Sequence, residues 1–149
     1  MCGVLLVYSK QKKLNKDICK ATLKTLENRG PDKTLSNFFL DNQLFIGNTI
    51  LNIVGPIKNK KNLYKSKSNR YKISFNGEIY NYKKISKNKN FLFNPVNDTD
   101  LLANIHDYKN EFQTVKLLDG MFAYCVFDEK KKQNFFCIRS SRRKKTFLL

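Results

Sequence analysis

Met1-Cys2-Gly3-Val4-Leu5-Leu6-Val7-Tyr8 opens the chain, and from Gly3 onward it reads as a strand beginning almost at the N-terminus. The apolar run is far shorter than the roughly 20 residues needed to span a bilayer, and no basic segment precedes it as in a secretory signal. A small second residue permits removal of the initiator methionine, which would leave Cys2 with both a thiol and a free α-amine. Such an amine has an unperturbed pKa of about 7.7–8.0, so a useful fraction is neutral near neutral pH. It can take the thiol proton directly or through a water, making nucleophile and base a single residue. That arrangement dispenses with a histidine.

Residues 15–26 place Ile18, Ala21, Thr22, Thr25 and Leu26 on or near one helical face. Asn15 or Asp17 can cap this helix, and Gly30-Pro31 forbids its continuation. Residues 38–54 alternate imperfectly between apolar and polar, break near Asp41-Asn42 and end at Gly55-Pro56, which predicts a two-stranded hairpin. The basic stretch 58–70 carries no apolar period and reads as a mobile surface loop. Residues 71–75 predict another strand, closed by the turn-favouring pair Asn76-Gly77. Asp98 can open a helix with Leu101, Leu102 and Ile105 at helical spacing, and residues 111–118 predict a second. Residues 121–127 and 134–138 are strand-like, joined by the charged connection Asp128-Glu129-Lys130-Lys131-Lys132. Antiparallel hairpins with two batches of helices point to an α+β fold with sheet and helix layers.

A chain of 149 residues suits one domain, since single cores are usually built from about 100–200 residues. With 41% hydrophobic and 13% aromatic residues, it is too apolar for intrinsic disorder. Gly at 6 and Pro at 3, with no sustained heptad, exclude collagen and coiled coil. The 29 Lys plus Arg against 12 Asp plus Glu give a net charge of +17. Residues 58–72 interleave those cations with Tyr64 and Tyr71, as nucleic-acid binders do. Lysines are spread along almost the whole chain together with many asparagines, the mark of an AT-rich coding bias, so nucleic-acid binding ranks last. The four cysteines form no CxxC pair and no zinc-like spacing with the single histidine. Cys19 and Cys125 read as small buried hydrophobes, and His106 as lying on a helix surface or boundary. The expected setting is soluble and cytoplasmic.

Four motifs recur in a fixed order: Met1-Cys2-Gly3, Arg29-Gly30-Pro31-Asp32, Asn76-Gly77-Glu78-Ile79-Tyr80-Asn81 and Leu118-Asp119-Gly120-Met121-Phe122-Ala123, with Asn97-Asp98-Thr99-Asp100 between the last two. In this order they resemble the class II glutamine amidotransferase domain of the asparagine synthetase family, an N-terminal-nucleophile hydrolase. The resemblance implies a four-layer αββα sandwich of largely antiparallel sheets. It also implies hydrolysis of L-glutamine to glutamate and ammonia for asparagine biosynthesis. Cys2 would attack the glutamine amide. The side-chain NH2 of Asn76 and the backbone N–H of Gly77 would hold the oxyanion, a kind of donor pair worth several kcal/mol. Asp98 matches the acid that holds the α-ammonium, Glu78 lies beside the site, and the backbones of Leu51, Ile53 and Val54 would line the pocket. Arg29-Gly30-Pro31-Asp32 would organise the loop that frames it. Taken alone, Asn76-Gly77 is also an ordinary turn pair and Asp98 a plain helix cap.

The departures are equally specific. Ile50 stands where the family carries an arginine that grips the glutamine α-carboxylate, and an isoleucine cannot replace a bidentate charge-assisted pair. Asn48, Thr49 or Asn52 can offer neutral donors, with weaker glutamine binding expected. This pattern is closest to the divergent asparagine synthetase domain-containing proteins. Near the C-terminus Arg139-Ser140-Ser141 stands where the resemblance implies Arg-Asp, and the family's last strands and its ATP-dependent synthetase domain are expected to be absent from residues 1–149. Residues 1–149 are therefore expected to form a partial, C-terminally truncated amidotransferase type 2 domain. No cofactor is expected in this domain, no membrane partner, and a separate synthetase domain or chain as the ammonia acceptor. The alternative reading is a catalytically weak or inactive relative with a binding or regulatory role.

Overall fold

Hairpins dominate the computed structural model, which describes residues 2–51, 63–88, 91, 93–140 and 143–148. The strands are β1 (Gly3–Tyr8), β2 (Lys33–Phe39), β3 (Leu44–Ile50), β4 (Tyr64–Lys65), β5 (Tyr71–Ile79), β6 (Gly120–Asp128), β7 (Gln133–Ser140) and β8 (Arg143–Leu148). The helices are α1 (Lys16–Lys24), α2 (Tyr82–Ser86), α3 (Asp98–Ile105) and α4 (Glu111–Leu117), with a 3-10 turn over Glu27–Arg29. One sheet has the order β1-β3-β2 and the other β4-β5-β6-β7-β8. Both are built from antiparallel pairs, β1 and β2 against β3 in the first, and β4–β5, β6–β7 and β7–β8 in the second. The fold is α+β, as the alternation of hairpins and helices predicted. Among the described residues, no helix is long and apolar enough to cross a membrane.

The chain divides into two compact units, Met1–Leu63 with Ser74–Asn76, and Tyr64–Ile73 with Gly77–Leu149. In the first, β3 is the central strand and is buried along its whole length. Helix α1 starts where the Asn15 side chain accepts the N–H groups of Asp17 (2.9 Å) and Ile18 (3.1 Å), satisfying donors that the first turn leaves open. The helix packs closely on β3 because Gly47 has no side chain: a Cβ there would lie 2.6 Å from Leu23 Cδ1. Cys19, Leu23 and Phe45 form the core between them, flanked by Leu5, Val7, Leu14, Leu26 and Phe38. Each such aliphatic or aromatic side chain contributes about 1.5–3 kcal/mol when fully buried. The β2–β3 turn falls where the sequence placed it, with Leu40, Asp41 and Asn42 at φ of 53°, 51° and 67°.

The second unit corrects three sequence expectations. Residues 58–62 lie outside the described residues, but 63–70 are not a loose loop. They include the short strand β4, the buried Ser66, and Arg70, whose Nε meets Asp128 Oδ1 at 2.9 Å. Burial alone would raise the Asp128 carboxyl, but hydrogen bonds from Arg70 and from the N–H groups of Lys131 and Lys130 outweigh it and hold its pKa below the ordinary range. Second, β5 does not end at Asn76-Gly77 but runs on to Ile79, because β6 packs against the Gly77 backbone. Third, His106 caps the end of α3 as a boundary residue, yet it is buried rather than exposed. It lies beside the rings of Tyr71 (centroids 5.5 Å apart) and Tyr124 (5.9 Å).

That burial has a titration consequence. Desolvation lowers the His106 pKa to about 3, against a smaller upward pull from Asp128. An unfolded histidine titrates near about 6.5, so below that pH the unfolded chain binds a proton that the folded one refuses. Stability contributed by His106 is therefore complete above its unfolded pKa and declines as pH falls toward its folded one. The expected slope is up to about 1.4 kcal/mol per pH unit. Urea unfolding between about pH 7 and about pH 5 should show this loss, and His106→Phe should remove its histidine component. An identical pH dependence in both proteins would contradict the assignment.

Candidate active site

Cys2 stands at the head of β1, and β3 fixes it there through groups on successive residues. Gly3 pairs with Thr49 and Val4 with Asn48. The buried Thr49 hydroxyl accepts the Gly3 N–H (3.1 Å) and donates to the Leu26 carbonyl (2.9 Å), joining β1 to the end of the α1 region. A Cβ on Gly3 would lie 2.6 Å from that hydroxyl, so the residue after the cysteine must be glycine. The Asn48 amide donates from Nδ2 to the Gly3 carbonyl (2.7 Å) and to the Phe75 carbonyl (3.3 Å). Cys2 Sγ itself lies 3.9 Å from the Leu51 carbonyl, and the Arg29 guanidinium reaches the Cys2 carbonyl at 3.5 Å. Cys2 is half-buried, whereas Cys19 and Cys125 are buried. Burial pushes the Cys19 thiol up, away from the reactive thiolate.

Arg29-Gly30-Pro31-Asp32 is a wedge against the end of β3. A Cβ on Gly30 would come within 2.4 Å of the Thr49 carbonyl carbon, Pro31 forms a bridge with Ile50, and the Asp32 N–H donates to the Ile50 carbonyl at 3.0 Å. The motif thus holds the strand end that leads to Leu51. Ile50 itself is 8% exposed, an apolar side chain in the wall of the first unit.

In the second unit the two glycine motifs explain each other. Gly77 (φ 135°) approaches β6 so closely that a Cβ would lie 2.2 Å from the Met121 carbonyl oxygen. Gly120 (φ 153°) answers from the other side, where a Cβ would meet the Glu78 carbonyl oxygen at 2.1 Å. The left-handed φ that would ordinarily make a turn is here absorbed inside a strand, because the neighbouring backbone occupies the space of a side chain. Asn81 then braces the pair. Its Nδ2 donates to the Leu117 carbonyl and its Oδ1 accepts the Asp119 N–H, both at 2.9 Å.

Asp98 is not the helix cap: Asn97 is, accepting the Asp100 N–H at 2.8 Å. The Asp98 carboxylate instead receives the Ile79 N–H on Oδ2 (3.2 Å) and the Thr99 N–H on Oδ1 (2.7 Å). It sits at the positive end of α3, where a carboxylate is favoured, and is held next to Glu78-Ile79. Of the residues singled out from sequence, Cys2, Leu51 and Asn76 belong to the first unit, and Gly77, Glu78 and Asp98 to the second. Ile53 and Val54 lie outside the described residues. Sequence reasoning assigned no positional part to Asn48, Thr49 or Asn81, whose partners are mostly backbone groups that no residue pattern marks.

The first unit thus carries a glycine-locked cysteine at the head of β1, and in the second Gly77-Glu78 packs against Gly120 with Asn81 as brace. Comparison with known proteins agrees with the motif resemblance. A family model described as a glutamine amidotransferase domain matches residues 1–142, and the chain belongs to that family. It is 31% identical over 137 residues to asparagine synthetase [glutamine-hydrolyzing] 3 of Arabidopsis thaliana, with 89% of this chain and 23% of the relative covered. The human asparagine synthetase [glutamine-hydrolyzing] is 27% identical over 136 residues, covering 91% of this chain and 24% of its own. Asparagine synthetase [glutamine-hydrolyzing] 1 of Bacillus subtilis is 31% identical over 137 residues, covering 87% and 21%. The chain thus spans less than a quarter of the length of these relatives.

The Thr49 relay gives a direct test. Thr49→Val keeps the volume and removes the hydroxyl, leaving the Gly3 N–H without its buried acceptor and the Leu26 carbonyl with the Arg29 N–H alone. A loss of about 1–3 kcal/mol in urea unfolding is expected. A change within about 0.3 kcal/mol would mean that the relay does not hold the N-terminal strand.

Proposed function

We propose that the chain hydrolyses L-glutamine to glutamate and ammonia, with Cys2 as the N-terminal nucleophile once Met1 is removed. The observation that carries this reading is a Cys-Gly strand head, fixed on β3, in a chain whose residues 1–142 match the amidotransferase family. The free α-amine of Cys2 takes the thiol proton, and the sulfur attacks the side-chain amide carbon of glutamine. The tetrahedral oxyanion rests on the Asn76 side-chain amide and the Gly77 N–H. Collapse expels ammonia, which leaves with the proton returned by the amine, and a γ-glutamyl thioester remains on Cys2. Water then adds to the thioester, glutamate departs, and the thiol regains its proton. Thiol, amine and water suffice, so no cofactor is required.

Asp98, with Glu78 beside it, is proposed to hold the glutamine α-ammonium, and the backbone of Leu51 to line the pocket. With Ile50 in the place of a carboxylate-binding arginine, the α-carboxylate loses its strongest partner, and KM for glutamine is expected to be high. The relatives named as asparagine synthetases supply the proposed destination of the ammonia, an acceptor site on a synthetase domain or separate chain, in the cytoplasm.

Intact mass should show a chain lacking Met1, and that processed chain should release glutamate from glutamine. Cys2→Ala should abolish the release. Equal rates for the two proteins, or a chain that retains Met1 in the cell, would overturn the nucleophile assignment.

A further inference from the structure

We propose that Asn48 is a positioning residue for this reaction, its amide setting the strand that carries Cys2 at a fixed distance from the strand that carries Asn76. The inference rests on the glutamine-hydrolysis reading above and adds a residue to it. Asn48 lies within β3, next after its middle residue Gly47, and is 1% exposed. Its Nδ2 faces three carbonyl oxygens, those of Gly3 (2.7 Å), Phe75 (3.3 Å) and Thr49 (3.4 Å). Only an NH2 group can sit there, because an oxygen in the same place would face three acceptors. Its Oδ1 is buried with no hydrogen-bond partner among the described residues. A buried asparagine that leaves its oxygen unsatisfied costs stability, so its compensation lies in what the NH2 end joins.

What it joins is specific. Gly3 is the residue after the nucleophile, and Phe75 is the residue before the oxyanion donor Asn76. One planar group therefore touches the backbone next to each of two groups whose separation must match a tetrahedral intermediate. Misplacing reacting groups by about 1 Å can cost about 100-fold in rate while leaving substrate binding nearly untouched. A neighbouring bond supplies the comparison: the buried Ser74 hydroxyl donates to the Gly47 carbonyl at 2.9 Å, also linking β3 to the 74–76 segment but without reaching Gly3.

The test compares Asn48→Ala with Ser74→Ala in the full chain. Asn48→Ala should lower kcat about 10- to 100-fold with KM within about threefold, whereas Ser74→Ala should lose stability with kcat within about threefold of the parent. Amide hydrogen exchange should accelerate at least about tenfold at Gly3 in Asn48→Ala and stay within about twofold in Ser74→Ala. Asn48→Ser, which keeps a donor for one carbonyl, gives the same readouts in a milder lesion should the alanine variant be unfolded. Equal kcat losses in the two alanine variants, or unchanged Gly3 exchange in the Asn48 variants, would overturn the proposal. A parent chain without glutaminase activity but with Gly3 exchange accelerated only by the Asn48 changes would retain the positional tie and refute the glutamine reading instead.

Discussion

Strand β3 is the constraint on which the rest of the first unit depends. Gly47 admits α1, Asn48 and Thr49 grip the two sides of the Gly3 peptide, and Ile50 receives the Pro31-Asp32 backbone. Four consecutive residues thus anchor a helix, the N-terminal strand and a loop. The strand is buried throughout, so the polar side chains in it are there for their hydrogen bonds and not for solvent. A polar sequence such as Asn48-Thr49 in a buried strand is costly unless each group has a partner, and here all but one atom does.

The second unit rests on a different device, the mutual approach of two glycine-bearing strands. Gly77 and Gly120 each occupy the position where the other strand's backbone leaves no space for a Cβ, and Asn81 closes the joint with two amide hydrogen bonds. This explains why Asn-Gly-Glu and Leu-Asp-Gly occur together in the chain although about 40 residues separate them, a distance that only tertiary packing can bridge. Asp98 is drawn into the same assembly through the Ile79 N–H. Residues that the resemblance assigns to chemistry are therefore also structural, and removing one would disturb both.

Much of this was legible in the sequence. Asn15 and the apolar spacing after it gave α1, the break at Asp41-Asn42 gave the β2–β3 turn, and Leu101, Leu102 and Ile105 gave α3. Cys2 was singled out because the chemistry proposed for it depends on chain position and not on packing. The continuation of β5 through Gly77 was hidden, since an Asn-Gly pair favours a turn locally and only the approach of β6 overrides that preference. The order in residues 63–70 was hidden by their lysines, because the buried Leu63 and Ser66 and the Arg70–Asp128 pair leave no periodic trace. The positional parts of Asn48, Thr49 and Asn81 could not be read for a similar reason, and the donors of Asn48 and Thr49 that the sequence offered to glutamine are given to backbone carbonyls. Each is defined by backbone groups distant in sequence.

We propose Cys2, at the head of β1, as a nucleophile activated by its own free α-amine. Its most direct test is to treat the Met1-processed protein with a γ-electrophilic analogue of glutamine and map the adduct by peptide mass spectrometry. A single adduct on Cys2, suppressed by excess L-glutamine, is the predicted result. No adduct, or labelling of Cys19, Cys125 or Cys137 while Cys2 stays free, would contradict it.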